Sequence, residues 1–246
     1  MAEYGRRYQT AVRTGAGTRV EGIDQGLRAF MLGVYNNMAM GLALTGIVAY
    51  GTYAWAASDP AVAQALYGSP LKWVIMLAPL AFVFGLSAGV ERMQPATARL
   101  VFLAFAAVMG LSLSSIFIVF TGESIARTFF ITAASFGALS LYGYTTKKDL
   151  SGWGSFLMMG VIGLIIAMIV NIFLASSALQ FAISAIGVLI FAALTAYDTQ
   201  RLKHMYDFVA GDTVAAGRAS IMGALTLYLD FINLFTFLLQ FMGNRE

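Results

Sequence analysis

The aspartate in "LYLDFINLF", Asp230, is the residue of this sequence whose chemistry is least expected from its surroundings. It lies about 11 residues into an apolar helix predicted to begin near residue 219, which places it ~17 Å from the helix start at 1.5 Å per residue. A charged aspartate deep in a bilayer costs a few kcal/mol, so such residues usually face a protein interior or a water-filled cavity. Thr226, Asn233 and Gln240 follow the same helical spacing. The pattern therefore predicts a polar helix face that is turned inward.

A second carboxylate, Asp198, lies in "ALTAYDTQRLKHMYD" near the end of the preceding apolar segment. One interpretation is an ordinary helix-end acid that pairs with Arg201 at i+3. The helical pattern nevertheless continues to about Val209, and Gly211 is a typical C-terminal cap. Asp198 then lies ~17 Å from the end of its helix, at the rise of an α-helix. Because consecutive helices are antiparallel, we expect Asp198 and Asp230 to meet at one level.

Two carboxylates that lie close together in a poorly solvated site cannot both ionise cheaply, so they tend to share a proton. Such a pair is a proton-sensitive latch or, when both groups are ionised, a weak site for Ca²⁺, which prefers oxygen ligands. It is not a complete calcium site, and the remaining oxygens would come from Thr195, Thr226, Asn233, backbone carbonyls and water. The alternative is that both aspartates are structural and bind hydroxyl, amide or arginine partners across helices.

The composition points to a membrane protein. Hydrophobic residues form 59% of the 246 and charged residues 11%, against about 25% charged residues in soluble domains. The absence of cysteine excludes disulfides, thiolate metal sites and thiol nucleophiles, and the single histidine, His204, leaves little imidazole chemistry. A formal net charge of +3 is typical of the cytoplasmic flanks of membrane helices and does not indicate nucleic-acid binding. We predict no cofactor.

Apolar segments of about 20 residues, the length that crosses a bilayer, recur along the chain. They predict an all-α membrane protein of seven transmembrane helices, with a single domain over residues 28–243 and a flexible cytoplasmic tail over residues 1–27. The predicted spans are 30–55, 71–90, 98–120, 125–146, 154–175, 178–200 and 219–242.

The distribution of lysine and arginine predicts the orientation, because cytoplasmic loops carry an excess of both. Three of the fifteen fall on one side: Lys72, Arg127 and Arg245. The remaining twelve fall on the other side: Arg6, Arg7, Arg13, Arg19, Arg28, Arg92, Arg99, Lys147, Lys148, Arg201, Lys203 and Arg218. The amino terminus is therefore predicted to be cytoplasmic and, with seven spans, the carboxyl terminus to lie outside.

Several stretches resemble one known family. These are "LYLDFINLF", "AYDTQRLK", "YGYTTKKDLSGWGSFL", "SLSSIFIVFTGESIARTFFITAASFGALSLYGY" and "VYNNMAMGLALTGIVAY". Together they are similar to the transmembrane Bax inhibitor motif family, in its bacterial YccA-like branch. The resemblance covers about residues 28–243 and leaves the tail outside.

The resemblance implies a fold in which the seventh, C-terminal helix is central and is surrounded by the other six. It implies a pH-sensitive Ca²⁺ leak in which a hydrogen-bonded aspartate pair, carried onto Asp198 and Asp230, keeps the pore closed. Some members use an arginine at the cytoplasmic end of span two as a further latch, and Arg92 in "GVERMQP" is the nearest match. Members of the branch are also implicated in restraining a membrane-bound AAA protease. That function would make the chain a regulatory partner that binds through its tail.

Enzymatic functions fit the sequence less well. Intramembrane aspartyl proteases carry a Gly-x-Gly-Asp element and a later Pro-Ala-Leu element, whereas here Leu227 precedes Tyr228-Leu229-Asp230 and the last proline is Pro95. A retinal protein needs a lysine in the last span, and that span has none. Ser112, Ser114 and Ser115 lack a histidine base. We therefore predict a non-enzymatic inner-membrane protein, most consistent with a proton-regulated calcium leak, with the protease regulator as the alternative.

Overall fold

The computed structural model describes the backbone of residues 2–89 and 92–244, with side chains except those of residues 2–24 and 86–88. Within this part of the chain the regular structure is helical, without β-strands. The helices are α1 (Ala2–Ser58), α2 (Pro60–Ala63), α3 (Leu71–Gly89), α4 (Pro95–Leu113), α5 (Ile116–Val119), α6 (Gly122–Thr145), α7 (Gly154–Leu174), α8 (Ser177–Val209) and α9 (Thr213–Met242). Most side chains of residues 1–27 lie outside those described. The flexible cytoplasmic tail assigned to these residues therefore stays a prediction.

Six of the described helices are long and apolar enough to cross a membrane, and a bent pair raises the number to seven. The most apolar stretch of α9 is 67% buried, whereas the corresponding stretches of the other five range from 11% to 33%. Helices α1, α4, α6 and α8 pack directly on α9, while α3 packs mainly on α4 and α7 mainly on α8. The predicted fold class, with the C-terminal helix at its centre, is confirmed.

The bent pair is formed by Pro60–Gly68 and Leu71–Gly85, whose axes differ by 59°. Helix α1 ends at Ser58, and α2 begins two residues later at Pro60. The Asp59 carboxylate accepts a hydrogen bond of 2.8 Å from the Ala61 amide, and Pro60 occupies the first helical turn. Both features favour a helix start, because proline lacks only an amide hydrogen that is unpaired there anyway.

Helices α8 and α9 differ in how closely they follow the predicted bounds. Helix α8 continues to Val209, as the extended pattern predicted. Helix α9 begins at Thr213, six residues before the predicted start at 219 (219 − 213 = 6). Asp212 is the cap of this early start, since its carboxylate accepts hydrogen bonds from the amides of Val214 and Ala215 at 2.8 and 3.0 Å.

The Asp212 cap gives a prediction about stability. Hydrogen bonds from the amides of Ala215 and Val214 hold the pKa of Asp212 below its usual value. The stabilisation is therefore present at neutral pH and lost as the pH falls through the lowered pKa. We expect Asp212→Ala to lower the thermal midpoint in detergent by about a few degrees, with Asp212→Asn close to wild type because asparagine also caps helices. Equal loss in both variants would contradict a capping role.

Tyr228 fixes α9 to two of its neighbours. Its side chain is fully buried, and its hydroxyl lies 2.7 Å from that of Thr45 on α1. Thr45 in turn donates to the carbonyl of Ala106 on α4 at 2.8 Å. The rings of Phe102 and Phe105 contact the tyrosine edge-on at 5.7 and 5.6 Å. This packing holds α9 in one rotational setting and thereby sets the direction of Asp230, two residues away.

Candidate functional site

Asp230 lies on the buried face of α9. It is 5% exposed, and its neighbours Tyr228, Phe231 and Leu234 are equally shielded. Its Oδ2 atom is buried and has no hydrogen-bond partner among the described residues. An unpaired carboxylate oxygen in an apolar interior is costly, so the site retains a polar atom that packing alone does not require.

Asp198 lies opposite on α8 and is 7% exposed. The two carboxyl groups lie within hydrogen-bonding reach of each other. An ionised carboxylate only accepts hydrogen bonds, so a bond between them requires a proton on one of the two groups. The structure thus brings together the two aspartates that the sequence pattern predicted to meet, Asp198 and Asp230.

The two arginines considered as latches lie in different places. Arg201 Nη1 is 3.8 Å from Asp198 Oδ1, and its side chain is 63% exposed. Among the described residues, this contact is the one ion pair within 4 Å. Arg92 is exposed, between α3 and α4, and its role as a latch stays a prediction. Because water screens the exposed Arg201 and the two charges are 3.8 Å apart, Arg201 is a weak electrostatic partner of the buried Asp198.

The three polar residues predicted to complete the site bond to their own helices. Thr195 donates to the carbonyl of Phe191 at 2.8 Å, Thr226 to that of Met222 at 3.1 Å and Asn233 to that of Leu229 at 2.8 Å. Thr195 is fully buried, and the other two are half-buried. Their oxygens keep free lone pairs, but their hydrogen atoms are used within the helices.

The donor set does not fit a resident metal ion. The described residues contain no group of three or more His, Cys, Asp or Glu side chains that could hold one. Two carboxyl groups fall well short of the six to eight oxygens that Ca²⁺ takes. The two carboxyl groups alone are therefore not a complete calcium site.

Sequence analysis missed a line of hydroxyl groups on α6. Ser124, Thr128, Thr132 and Ser140 are all buried, and each follows the previous one by four or eight residues, a rotation of about 40° or 80° around the helix. The Thr128 hydroxyl has no partner within the described chain. The i, i+4 spacing could have predicted buried hydroxyls on this helix. A hydropathy profile does not reveal them, because serine and threonine are tolerated inside membranes.

The Ser140 end of this line contacts the residue next to Asp198. The Ser140 hydroxyl lies 2.6 Å from that of Tyr35 on α1 and 2.9 Å from that of Thr199 on α8. Thr199 directly follows Asp198. A buried chain of hydroxyls therefore links α1 and α6 to the segment of α8 that carries the pair.

The next residue, Gln200, binds the α6–α7 loop to the same segment. Its amide nitrogen donates to the Lys148 carbonyl at 2.8 Å, and its oxygen accepts from the Leu150 amide at 2.8 Å. The loop is further ordered by Asp149, whose pKa is held below its usual value by hydrogen bonds from Ser151. The "KKDLS" stretch of the α6–α7 loop thus holds the segment of α8 that carries Asp198.

A helical bundle around a buried helix, with a hydrogen-bonded carboxyl pair at its centre, defines a multi-pass membrane protein with a polar interior site. Residues 27–246 match the family model described as Bax1-I, inhibitor of apoptosis-promoting Bax1. The chain belongs to this Bax inhibitor family, as its motifs predicted.

Bacterial relatives match nearly the full chain. An uncharacterized protein of Caulobacter vibrioides is 51% identical over 234 residues, 91% of this chain and 92% of the relative. An uncharacterized protein of Rickettsia prowazekii is 49% identical over 223 residues, 91% of this chain and 92% of the relative. The inner membrane protein YbhL of Escherichia coli strain K12 is 48% identical over 223 residues, 90% of this chain and 94% of the relative.

Proposed function

We propose that this protein is a non-enzymatic, proton-regulated calcium leak pathway of the inner membrane, gated by Asp198 and Asp230. The observation that carries the proposal is that the two carboxyl groups are buried and lie within hydrogen-bonding reach of each other. A carboxyl pair on the central helix and its neighbour is expensive to bury, and intramembrane carboxylates mark ion or proton pathways. The inner-membrane location of YbhL supports the proposed location.

The shared proton holds the proposed gate closed. While it is present, the hydrogen bond joins α8 to α9 and the site carries a single negative charge. When it leaves, two adjacent carboxylates repel each other across a poorly solvated gap. The population then shifts toward a state in which the helices separate, and the carboxylate oxygens, including Asp230 Oδ2, become ligands for a passing Ca²⁺.

The proposed orientation places the amino terminus in the cytoplasm and the carboxyl terminus outside. The supporting observation is the lysine and arginine excess on one side, which includes Arg28 of α1 and Arg201 and Lys203 in the last third of α8. In this orientation, the Gln200 contacts with the α6–α7 loop lie on the cytoplasmic side of the aspartate pair.

Calcium flux into proteoliposomes tests the proposal. Purified protein is reconstituted into vesicles that contain a calcium-sensitive dye, and the initial rate of dye response is compared with that of protein-free vesicles. We expect a protein-dependent rate that changes with pH. A rate equal to that of empty vesicles at every pH from 6 to 8 would end the leak proposal.

The second proposed function is regulation of a membrane-bound AAA protease through residues 1–27. The favouring feature is the charge of this segment, which carries four arginines, Arg6, Arg7, Arg13 and Arg19, suited to an acidic surface on a partner. We expect deletion of residues 1–27 to reduce co-purification with the protease while leaving calcium flux unchanged. Undiminished co-purification would contradict a tail-mediated contact.

A further inference from the structure

A crevice of about 600 Å³ opens between α1 and α6 on the outside of the bundle. Leu32 of α1 and Phe136 and Leu141 of α6 form its apolar wall. Leu32 and Leu141 are 52% and 62% exposed, so this surface lies against lipid in a membrane. An apolar crevice on this surface can accommodate a hydrocarbon chain of a lipid.

The two ends of the crevice differ in chemistry. Its floor contains the Tyr35 and Ser140 hydroxyls, which bind each other at 2.6 Å and so present no free donor to a chain. Its mouth contains the exposed Arg28 together with Tyr144. The Lys203 ammonium lies 5.3 Å from the centre of the Tyr144 ring and donates to the Tyr144 carbonyl at 3.1 Å. Arg28 therefore lines the mouth itself, and Lys203 contacts the tyrosine that lines it.

A second crevice provides an internal comparison. It lies between α7 and α8, has a volume of about 580 Å³ and is lined only by apolar residues, including Leu189. The two crevices are thus nearly equal in size and differ chiefly in charge at the mouth. Hydrocarbon fits both, but only the α1–α6 crevice has partners for a phosphate.

We propose that the α1–α6 crevice is a binding site for an anionic phospholipid. One acyl chain lies along the apolar wall, and the head-group phosphate meets Arg28, with Lys203 contributing a second positive charge. Basic pockets between transmembrane helices bind anionic head groups in this way, and arginine suits phosphate because its planar fork presents several donors. The site is independent of whether the protein conducts calcium.

Quenching of a single tryptophan by brominated lipid tests the site. The background replaces the native tryptophans with phenylalanine: Trp55, Trp73 and Trp153. The probe is Leu141→Trp in the α1–α6 crevice, and the matched control is Leu189→Trp in the α7–α8 crevice, where the leucine is 70% exposed. Each is reconstituted in vesicles that contain equal mole fractions of brominated phosphatidylglycerol or brominated phosphatidylcholine.

At the Leu141→Trp probe, we expect brominated phosphatidylglycerol to bind about fivefold more strongly than brominated phosphatidylcholine. This is the ratio that one cation near an anionic surface supplies. The Leu189→Trp protein should show no head-group preference. Adding Arg28→Gln should reduce the preference at the first probe, while Arg28→Lys should retain most of it.

A crevice-filling variant separates a bound chain from general attraction of anionic lipid to the protein. Gly137 lines the crevice, and an added Cβ there meets nothing within 4 Å, so the side chain of Gly137→Leu has room to start into the slot, and an unchanged thermal midpoint is the check that the bundle is intact. This variant should abolish the preference. Equal quenching by the two lipids at the first probe, or a preference unaffected by both Arg28→Gln and Gly137→Leu, would overturn the proposal.

Discussion

Replacement of either aspartate of the pair by asparagine is expected to abolish the pH dependence of calcium flux. In the wild type, flux should rise from pH 6 to pH 8, because loss of the shared proton opens the gate. The rise is at most about tenfold per pH unit, since one proton is released. In Asp198→Asn or Asp230→Asn, the amide supplies a permanent hydrogen-bond donor to the remaining carboxylate. Flux should therefore stay near the wild-type value at pH 6 over the whole range.

The control for this experiment is Asp207→Asn. Asp207 lies on the same helix as Asp198 but is exposed, so its substitution removes one negative charge without touching the pair. It should keep the wild-type pH profile. If the asparagine variants of the pair retained that profile, the carboxyl groups would be structural, which is the alternative that the sequence left open.

The second prediction concerns the packing that holds α8 against α6. A Cβ at Gly143 would overlap the backbone carbonyl of Ala196, two residues before Asp198. Backbone cannot move aside as a flexible side chain can, so Gly143→Ala should lower the free energy of unfolding by about 1–3 kcal/mol, the usual cost of overpacking. The measurement is the thermal midpoint of the purified protein in detergent.

Gly137→Ala on the same helix is the matched control. An added Cβ at Gly137 meets nothing within 4 Å, and alanine favours a helix interior by roughly 0.5–1 kcal/mol over glycine. We expect an unchanged or slightly raised midpoint in this variant. A similar decrease in both variants would indicate a general intolerance of α6 to substitution and would contradict the specific contact with Ala196.

The sequence predicted the central pair because the energetic signal there is large. A carboxylate in an apolar helix needs an inward position, and the antiparallel arrangement of neighbouring helices then brings Asp198 and Asp230 together. Weaker signals were missed. The start of α9 depends on the Asp212 cap rather than on hydropathy, and the helix that begins at Pro60 is too short to register as a span.

The contacts that connect the pair to the rest of the bundle were beyond sequence reasoning for another reason. The bond between Ser140 and Thr199 joins residues 59 positions apart, and the clamp of Gln200 on Lys148 spans 52. Serine, threonine and glutamine have many satisfactory partners in a helical bundle. Only the rotation and depth of each helix decide which partner is chosen.

Three consecutive residues of α8 bind three different parts of the protein. Asp198 binds Asp230 on α9, Thr199 binds Ser140 on α6, and Gln200 binds the α6–α7 loop. Successive side chains of a helix point about 100° apart. These contacts therefore hold α8 at this level from three directions. A turn of α8 about its own axis that parts the carboxyl groups also strains the other two attachments. Opening should therefore be abrupt, with few partly open intermediates, and single-channel recordings should register discrete steps of conductance.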